Sequence, residues 1–488
     1  MVKERSLDRT EPLNGYGIYI ALIYSINAVF NPNLLNIPWA FQKMGYIVSI
    51  VCLGLNGLLS YYLSRLVIEI LARVDLIDRL KSEGYTVDKP NICENLFGKR
   101  EPNHLDSLMQ TPMITGLRYD LNQCASVLLG KPIGTLYLLC MIAYFQAELI
   151  WYAEVFVDTI TRYVPLLQSA CSISNLNSYW NLCRVDYWIY LGMFSQAMFF
   201  LSMISFKWQK WWQVVLQFLK LALIVLVAIT CLELIGDEKN IDNDHYKFEM
   251  PTLAHWEDLY KGFQIFFYVF LYQLQLPSIV EHVGNKKRLW TIPFLILCAS
   301  VGFYLALGLI APLAIPDVDK LFTQDYRNYS AGMEQAGKPW WTDLIAYAVA
   351  LSPCMIIASN FPISAISLSN AITSLFYGPG NEETHDKQDY LSLRWLTVTF
   401  SIGLTFFFYD LAFILDYVRL VGFFLIPIFI PIMHIAARQI IGTQSPYDAI
   451  WAPKWLSLLI SVFHGFLVAY ILIFRIFEDS HYDLNSDN

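Results

Sequence analysis

The sequence predicts an all-α integral membrane protein with about eleven transmembrane helices. Hydrophobic residues make up 56% of the 488 residues and charged residues only 15%, whereas a soluble globular chain carries about 25% charged residues. Long uncharged segments recur along the chain, and about 20 apolar residues cross the hydrocarbon core of a bilayer. The charges are too few to cover a water-facing surface, so the chain is expected to be surrounded by lipid.

The uncharged segments place the predicted spans. They cover residues 16–38, 46–71, 133–160, 187–205, 211–232, 259–279, 290–313, 342–375, 391–410, 412–435 and 455–477. The ninth and tenth spans are separated by almost nothing around Tyr409 and Asp410, so counts of ten or twelve also fit the sequence. Residues 1–14 are expected to form a polar cytoplasmic tail and residues 478–488 a short disordered polar tail.

The distribution of basic residues predicts the orientation. On this map the N-terminal side of the membrane holds twenty Lys and Arg and the opposite side nine, and the excess marks the cytoplasm. The N-terminus is therefore expected in the cytoplasm.

The sequon at Asn328 then falls in a non-cytoplasmic loop and predicts N-glycosylation. Cys171 and Cys183 share another such loop and could form a disulfide, although spacing alone leaves their pairing open.

The first span contains an unusual cluster of polar and helix-breaking residues. Its segment from Ser25 to Trp39 holds four Asn and two Pro. Pro32 removes a backbone N–H and moves Asn31 out of helical geometry. Unwound backbone inside a bilayer persists only where protein or a water-filled cavity satisfies its polar groups. The first span is therefore predicted to be a broken helix that lines a cavity.

The sixth span repeats this feature at Gln273, Gln275 and Pro277. Interrupted helices at corresponding positions of two halves indicate the inverted repeats of a transporter, with the solute site near the bilayer midplane. The repeats would cover about residues 16–232 and 259–435 within a core of residues 15–440, and residues 455–477 would add one further helix. Two merely kinked helices are the alternative interpretation.

At these two segments the chain resembles the amino acid/auxin permease family of the amino acid–polyamine–organocation superfamily. Residues 27–41 are similar to the family's Asn-x-x-x-Gly-x-Gly-x-Leu-x-Leu-Pro-Tyr-Ala-Phe signature, with Leu35, Pro38, Ala40 and Phe41 in step. Residues 277–281, followed by 285–288, resemble its Pro-x-x-x-Glu-Leu-Lys-Asn ending, and residues 360–362 contain a similar Phe-Pro pair. The resemblance covers roughly residues 15–440. It implies a leucine-transporter-like fold with two inverted repeats of five helices, in which helices 1 and 6 are broken.

The chain departs from the family at the solute-binding glycines. The family's Gly-x-Gly, whose backbone amides approach a substrate carboxylate, is replaced here by Asn31-Pro32-Asn33. The resemblance therefore implies that the side-chain amides of Asn31 and Asn33 contact the solute directly. Some sodium-coupled relatives have a hydroxyl residue where this chain has Met355, so the resemblance favours proton coupling or facilitated transport over sodium coupling.

The predicted solute site lies between the two broken spans and the third and eighth spans. The broken spans and their flanks would contribute Asn27, Phe30, Asn31, Pro32, Asn33, Leu34, Tyr272, Gln273 and Gln275, and the third and eighth spans Tyr144, Ser359 and Asn360. Glu148 is the predicted proton carrier, because an ionisable residue at membrane depth is a functional candidate by default. A structural ion pair between Glu148 and Lys220 is the alternative, and an Asp416–Arg419 pair is expected one turn apart.

These features predict a secondary active transporter of amino acids or similar small organic solutes, working by alternating access and proton symport. No enzyme, cofactor, metal or nucleic-acid partner is expected.

A solute sensor that keeps the transporter fold is one alternative. A membrane acyltransferase using His434 or His464 is another, although neither histidine has an acidic neighbour close in sequence. The plasma membrane and a vacuolar or lysosomal membrane both fit, and the oligomeric state stays open.

Overall fold

The computed structural model describes residues 17–85, 111–114, 119–167, 182–204, 206–236, 253–256, 259–281, 283–284, 286–315, 318–329, 338–377, 387–406, 411–448 and 453–486. Its α-helices are, in chain order, α1 Ile18–Val29, α2 Ile37–Met44, α3 Tyr46–Ser82, α4 Leu121–Leu129, α5 Lys131–Tyr163, α6 Leu182–Met203, α7 Phe206–Gly236, α8 Leu259–Tyr268, α9 Leu276–Glu281, α10 Thr291–Ala314, α11 Trp340–Ala350, α12 Ser352–Tyr377, α13 Lys387–Leu404, α14 Leu411–Leu425, α15 Phe429–Ile440 and α16 Lys454–Ser486. Short 3₁₀ helices cover Pro32–Asn36, Lys286–Arg288 and Phe322–Asn328.

The all-α membrane architecture predicted from the sequence is confirmed. Each of the eleven predicted spans overlaps a helix or a pair of consecutive helices. In the part of the chain that the structure describes, six helical segments are long and apolar enough to cross a membrane, two of them made by the consecutive pairs α11–α12 and α14–α15, and the bent pair α1–α2 makes a seventh. The residues around Tyr409 and Asp410, where the span count was uncertain, lie outside the described ranges.

The first span is broken, as predicted. α1 ends at Val29, and Phe30 has a non-helical ψ of 63°. Pro32 occupies the first turn of the following 3₁₀ helix, where its missing N–H costs no hydrogen bond. The two halves of the span are bent by 49° relative to each other.

The sixth span is broken as well. α8 ends at Tyr268 and α9 begins at Leu276. The connecting backbone is held by tight turns, in which Phe270 N–H donates to Phe267 O and Leu271 N–H to Tyr268 O, both at 3.1 Å. The fold therefore contains the two interrupted helices that the sequence predicted.

Several boundaries differ from the predicted ones, among them the end of α3 at Ser82 in place of residue 71, and proline explains two of the others. The eighth span divides at Leu351 into α11 and α12, because Pro353 fits the first turn of a new helix better than the interior of an old one. The tenth span divides around Pro427 into α14 and α15. The eleventh helix continues to Ser486, so most of the predicted disordered tail is helical, and no Gly or Pro interrupts it after Gly465.

The α5 helix is central to the packing. It contacts α12 and α14 extensively and also packs against α4, α6 and α13. On the other side of the molecule α10 packs against both α2 and α3. The approach of α10 to α2 is close at Gly308, where a Cβ atom would lie only 2.4–2.9 Å from three atoms of the Phe41 ring. This glycine permits the contact between the two helices.

A buried ionic cluster joins α3 to α15. Glu69 accepts hydrogen bonds from Arg73 at 3.1 Å and from Arg438 at 2.6 Å, and its Oε1 lies 3.2 Å from His434 Nε2. Arg73 also reaches Asp448 at 2.9 Å. His434 thus has an acidic neighbour that is remote in sequence, which corrects the expectation drawn from local sequence. The two arginines donate hydrogen bonds to the Glu69 carboxylate, so the cluster stabilises the contact between the two halves of the chain.

The close approach at Gly308 gives a testable prediction. Gly308→Ala should lower the free energy of unfolding by about 1–3 kcal/mol, because the methyl group overpacks against Phe41. Thermal unfolding of the detergent-solubilised protein measures the effect. Gly302→Ala in the same helix is the control, since nothing lies within 4 Å of its added Cβ. Equal midpoints for the two variants would contradict the close packing of α10 on α2.

Candidate solute site

The unwound part of the first span satisfies its own backbone donors. Asn31 N–H donates to Val29 O at 2.8 Å, and Leu34 N–H donates to Asn31 O at 3.0 Å. The side-chain oxygen of Asn31 accepts from Asn33 N–H at 3.0 Å, which is the usual role of an N-cap residue. Pro32 has no N–H. The backbone from Asn31 to Leu34 therefore presents no free amide hydrogen to a solute carboxylate in this conformation.

The carbonyl groups of the first break are bound by side chains from three helices. Phe30 O accepts from Lys220 Nζ at 3.5 Å and from Asn360 Nδ2 at 3.2 Å. The Tyr304 hydroxyl lies 2.9 Å from Val29 O and 3.2 Å from Val269 O. Since Val29 ends α1 and Val269 follows α8, this hydroxyl joins the two broken helices.

Asn27 and Ser359 belong to a polar network that also contains two residues of α7. Asn27 Oδ1 accepts from Lys220 Nζ at 3.1 Å, and Asn27 Nδ2 donates to Gln213 Oε1 at 3.0 Å. The Ser359 hydroxyl donates to the same Gln213 oxygen at 2.8 Å. The network therefore ties α1, α7 and α12 together beside the first break.

Sequence reasoning missed Gln213 as a site residue and gave Lys220 only a structural role. The signal was present, because two polar residues seven positions apart share one face of a helix inside an apolar span. Lys220 is only 2% exposed. Its described partners are Asn27 and Phe30, so the alternative pairing of Lys220 with Glu148 is not found among the described residues.

Glu148 lies in a pocket of hydroxyl groups. It is 3% exposed, and its Oε1 accepts from Tyr152 at 3.0 Å and from Tyr268 at 3.2 Å. The hydroxyls of Tyr144 and Ser364 also lie within hydrogen-bonding reach of the carboxyl group. Within the described residues no Lys, Arg or His pairs with it. A carboxyl group held by neutral donors at membrane depth can bind and release a proton without breaking an ion pair.

The glutamines of the second break point to two different helices. Gln273 Oε1 accepts from Tyr272 N–H at 3.1 Å, and Gln273 Nε2 donates to the Ser60 hydroxyl of α3 at 2.8 Å. Gln275 Nε2 instead donates to the Ser364 hydroxyl of α12 at 3.2 Å. Gln273 therefore stabilises the break itself, whereas Gln275 is connected to the surroundings of Glu148.

Arg419 of α14 contacts the first break from the opposite side. Its Nη2 donates to Asn33 Oδ1 at 2.8 Å, so the Asn33 side-chain oxygen is already bound by protein, whereas the buried Nδ2 atom has no partner among the described residues. The predicted partner of Arg419 was Asp416, whose side chain lies outside the described ones. The sequence reasoning therefore missed the long-range contact that holds Asn33.

A narrow cavity lies next to Lys220. Aliphatic and aromatic side chains line most of it, among them Leu34, Ile224, Leu307 and Phe322. It encloses about 20 Å³, which is room for roughly one water molecule. The break is therefore tightly packed on this side, and a solute could enter this cavity only after the helices separate.

The two predicted modifications lie at the edge of the described structure. Cys183 is disulfide-bonded, and its predicted partner Cys171 lies outside the described ranges. Asn328 ends the 3₁₀ helix Phe322–Asn328, and its side chain is not among the described ones. The pairing with Cys171 and the glycosylation of Asn328 stay predictions.

The fold and the two facing breaks define an all-α membrane protein with a leucine-transporter-like fold. The crystal structure of MhsT in complex with L-phenylalanine is similar over 93% of this chain and 97% of that chain, with a TM-score of 0.50 and 13% sequence identity. At that identity the likeness shows the fold alone.

Sequence comparison finds membrane proteins as relatives. The chain is 25% identical over 404 residues to Transmembrane protein 104 of Homo sapiens, across 76% of this chain and 77% of the human protein. It is 20% identical over 427 residues to the Transmembrane protein 104 homolog of Drosophila melanogaster, across 78% and 80% of the two chains. No family model matches the chain, and the resemblance to the amino acid/auxin permease family stays a prediction.

The bridge between the two breaks gives a second testable prediction. Tyr304→Phe removes the hydroxyl that lies on Val29 O and Val269 O, and should lower the free energy of unfolding by about 1–3 kcal/mol, because buried carbonyl groups lose a donor. Thermal unfolding in detergent measures it. Tyr347→Phe, at a residue 50% exposed on α11, is the control and should change little. If both variants unfold alike, Tyr304 does not hold the breaks together.

Proposed function

We propose that the protein is a secondary active transporter that carries an amino acid or a similarly small organic solute by alternating access. The observation that carries this proposal is the pair of broken helices facing each other at membrane depth, joined by Tyr304 and flanked by Lys220 and Glu148. Unwound backbone is expensive inside a bilayer unless it lines a functional cavity. MhsT, which has a similar fold, was solved with L-phenylalanine bound, and this supports an amino acid as the solute.

The coupling ion in this proposal is the proton, carried by Glu148 in symport with the solute. The hydroxyl groups around Glu148 can stabilise either protonation state, since a hydroxyl both donates and accepts. Protonation of Glu148 removes a negative charge from the region of the breaks. The site then favours an anionic group such as a solute carboxylate, so that proton and solute bind together.

The proposed solute contacts differ from those of the family that the sequence resembles. The first break offers no free backbone amide between Asn31 and Leu34, so the Lys220 amino group, which lies beside Phe30 O, is the proposed donor to a solute carboxylate. The plasma membrane and a vacuolar or lysosomal membrane both supply a proton gradient directed into the cytoplasm, the side on which the N-terminus of the carrier is expected.

Proton-coupled uptake is the direct test. Purified protein in proteoliposomes should accumulate solute from a labelled amino-acid mixture when the proton gradient is inward, and much less without it. Glu148→Gln should abolish the stimulation by the gradient, because the amide cannot carry a proton. Glu83→Gln, at an exposed residue beyond the end of α3, is the matched control and should behave as the parent protein. Uptake by Glu148→Gln that still needs the gradient would remove Glu148 as the proton carrier.

The cap of the first break gives another prediction. Asn31→Leu should abolish uptake while the amount of protein in the membrane stays near normal, because the Asn33 N–H loses its acceptor at the break. Asn31→Ser should restore a substantial part of the uptake, since serine is also a good N-cap residue. Unaltered uptake by Asn31→Leu would exclude the first break from the solute site.

A further inference from the structure

Ser364 occupies a position between the predicted proton carrier and the second break. Its hydroxyl accepts from Gln275 Nε2 at 3.2 Å and lies within hydrogen-bonding reach of Glu148. Ser364 is fully buried and Gln275 is 6% exposed. The sequence singled out Glu148 and Gln275 separately, but no sequence feature connected them through this serine.

The hydrogen count fixes the direction of these bonds when Glu148 is ionised. A serine hydroxyl has one hydrogen, and an ionised carboxylate can only accept. Ser364, which accepts from Gln275 Nε2, is therefore placed to donate its hydrogen to Glu148, whose Oε2 atom has no partner among the described residues. The Gln275 Oε1 atom is buried and has no hydrogen-bond partner, so in this state the amide offers an unpaired acceptor to its surroundings.

Protonation of Glu148 allows the chain to reverse. The carboxyl group then has a hydrogen to donate to the Ser364 oxygen, which frees the Ser364 hydrogen to point at Gln275. The amide must turn its Oε1 towards Ser364 to accept that hydrogen. Its Nε2 donor becomes the unpaired group, and it suits an oxygen of a solute carboxylate.

We propose that Ser364 is a positioning residue that couples protonation of Glu148 to the orientation of the Gln275 amide, and thereby makes the solute site favourable for a carboxylate only when the proton is bound. This inference rests on the proposed function, because it explains how the proton and the solute would bind together. No bond is broken in the relay other than hydrogen bonds. The one proton that enters stays on Glu148.

Among the groups that surround Glu148, Ser364 is the one that contacts the Gln275 amide of the second break. Tyr144 and Tyr152 come from α5 itself and Tyr268 from α8. The charged residues on the helices packed against α5 whose side chains the structure describes make the following contacts elsewhere: Arg419 with Asn33, Arg184 with the Trp188 ring, Asp186 with the N–H groups of Leu166 and Leu167, Arg394 with Ser202 O, Asp343 with Lys338, and Asp120 at the N-cap of α4. On α5, Asp158 pairs with Arg162, and Glu154 lies about 9 Å along the axis from Glu148.

Infrared difference spectroscopy of the lipid-reconstituted full chain tests the relay without any solute. Spectra are compared between about pH 4 and about pH 9, a range that includes the usual titration of glutamate. The band of the Glu148 carboxylic acid is identified by its loss in Glu148→Gln. The band of the Gln275 side-chain amide is identified by its loss in Gln275→Leu.

The parent protein should show both bands in its difference spectrum. Ser364→Ala should keep the Glu148 band and lose the Gln275 band, because the proton still binds but the amide no longer responds. Ser364→Thr keeps a hydroxyl and should restore both. Ser367→Ala is the matched control, since the Ser367 hydroxyl bonds only Ile363 O of its own helix at 3.0 Å. If Ser364→Ala does not fold, Ser364→Cys replaces it, as a thiol is a weak donor.

Three results would overturn the inference: a Gln275 band that persists without the Ser364 hydroxyl, a Gln275 band absent from the parent while the Glu148 band is present, or no Glu148 band at all. The outcome is independent of transport. Coupled bands without solute uptake would leave the relay standing and refute the transporter. If the apparent affinity for the solute in uptake rises at least about fivefold at acid pH, and rises equally in the parent and in Ser364→Ala, the result would support the transporter and refute the relay.

Discussion

The structure depends on satisfying broken backbone inside a membrane. A helix that stops at membrane depth leaves N–H and C=O groups that lipid cannot bond, and each such group costs several kcal/mol if it stays unpaired. This chain interrupts two helices in that environment. The residues around the breaks follow from that requirement: Asn31 accepts from Asn33 N–H, Tyr304 lies on Val29 O and Val269 O, and Lys220 and Asn360 bind Phe30 O.

The same contacts explain why the breaks can serve a function. Except for the Asn31–Asn33 contact within the first break, they connect a broken helix to a neighbour through side chains, and side-chain hydrogen bonds can be exchanged when helices shift. A polar solute can replace some of these partners, and so can water. Lys220, Arg419 and Glu148 border this region within the described residues, and they reach it from three different helices, α7, α14 and α5. The arrangement places ionisable and hydrogen-bonding side chains around unwound backbone, which suits a small polar solute and a proton.

Much of the fold could be predicted from the sequence because its signals are local. Apolar segments of about 20 residues define the spans, and the Asn and Pro residues between Ser25 and Trp39 mark the first break. The division of the eighth span at Leu351 was missed, although Pro353 indicated it. The ends of the long helices α3 and α16 were also missed, because helices continue past the membrane boundary when nothing interrupts them.

The site could be predicted only in part, because its chemistry depends on pairs of residues far apart in the chain. The sequence identified Asn27, Asn360, Gln275 and Glu148 but not their partners. Asn27 meets Gln213 and Lys220 across 186 and 193 positions, and Gln275 meets Ser364 across 89. The Asn33 side-chain oxygen binds Arg419, which is 386 positions away. Such contacts follow from the topology of the folded chain and leave no local pattern.

The most direct test of the account is whether the breaks open to both sides of the membrane in turn. Ser359 is fully buried beside the first break, so a thiol placed there reacts only when the break opens. The measurement is the rate at which a membrane-impermeant maleimide alkylates Ser359→Cys from either side of oriented vesicles, with the parent protein as the control. Alternating access predicts that the introduced thiol reacts slowly from each side, and that solute changes the two rates in opposite directions. A thiol that reacts from neither side under any condition would show that the breaks form a permanently closed structural cluster, and would contradict the transporter.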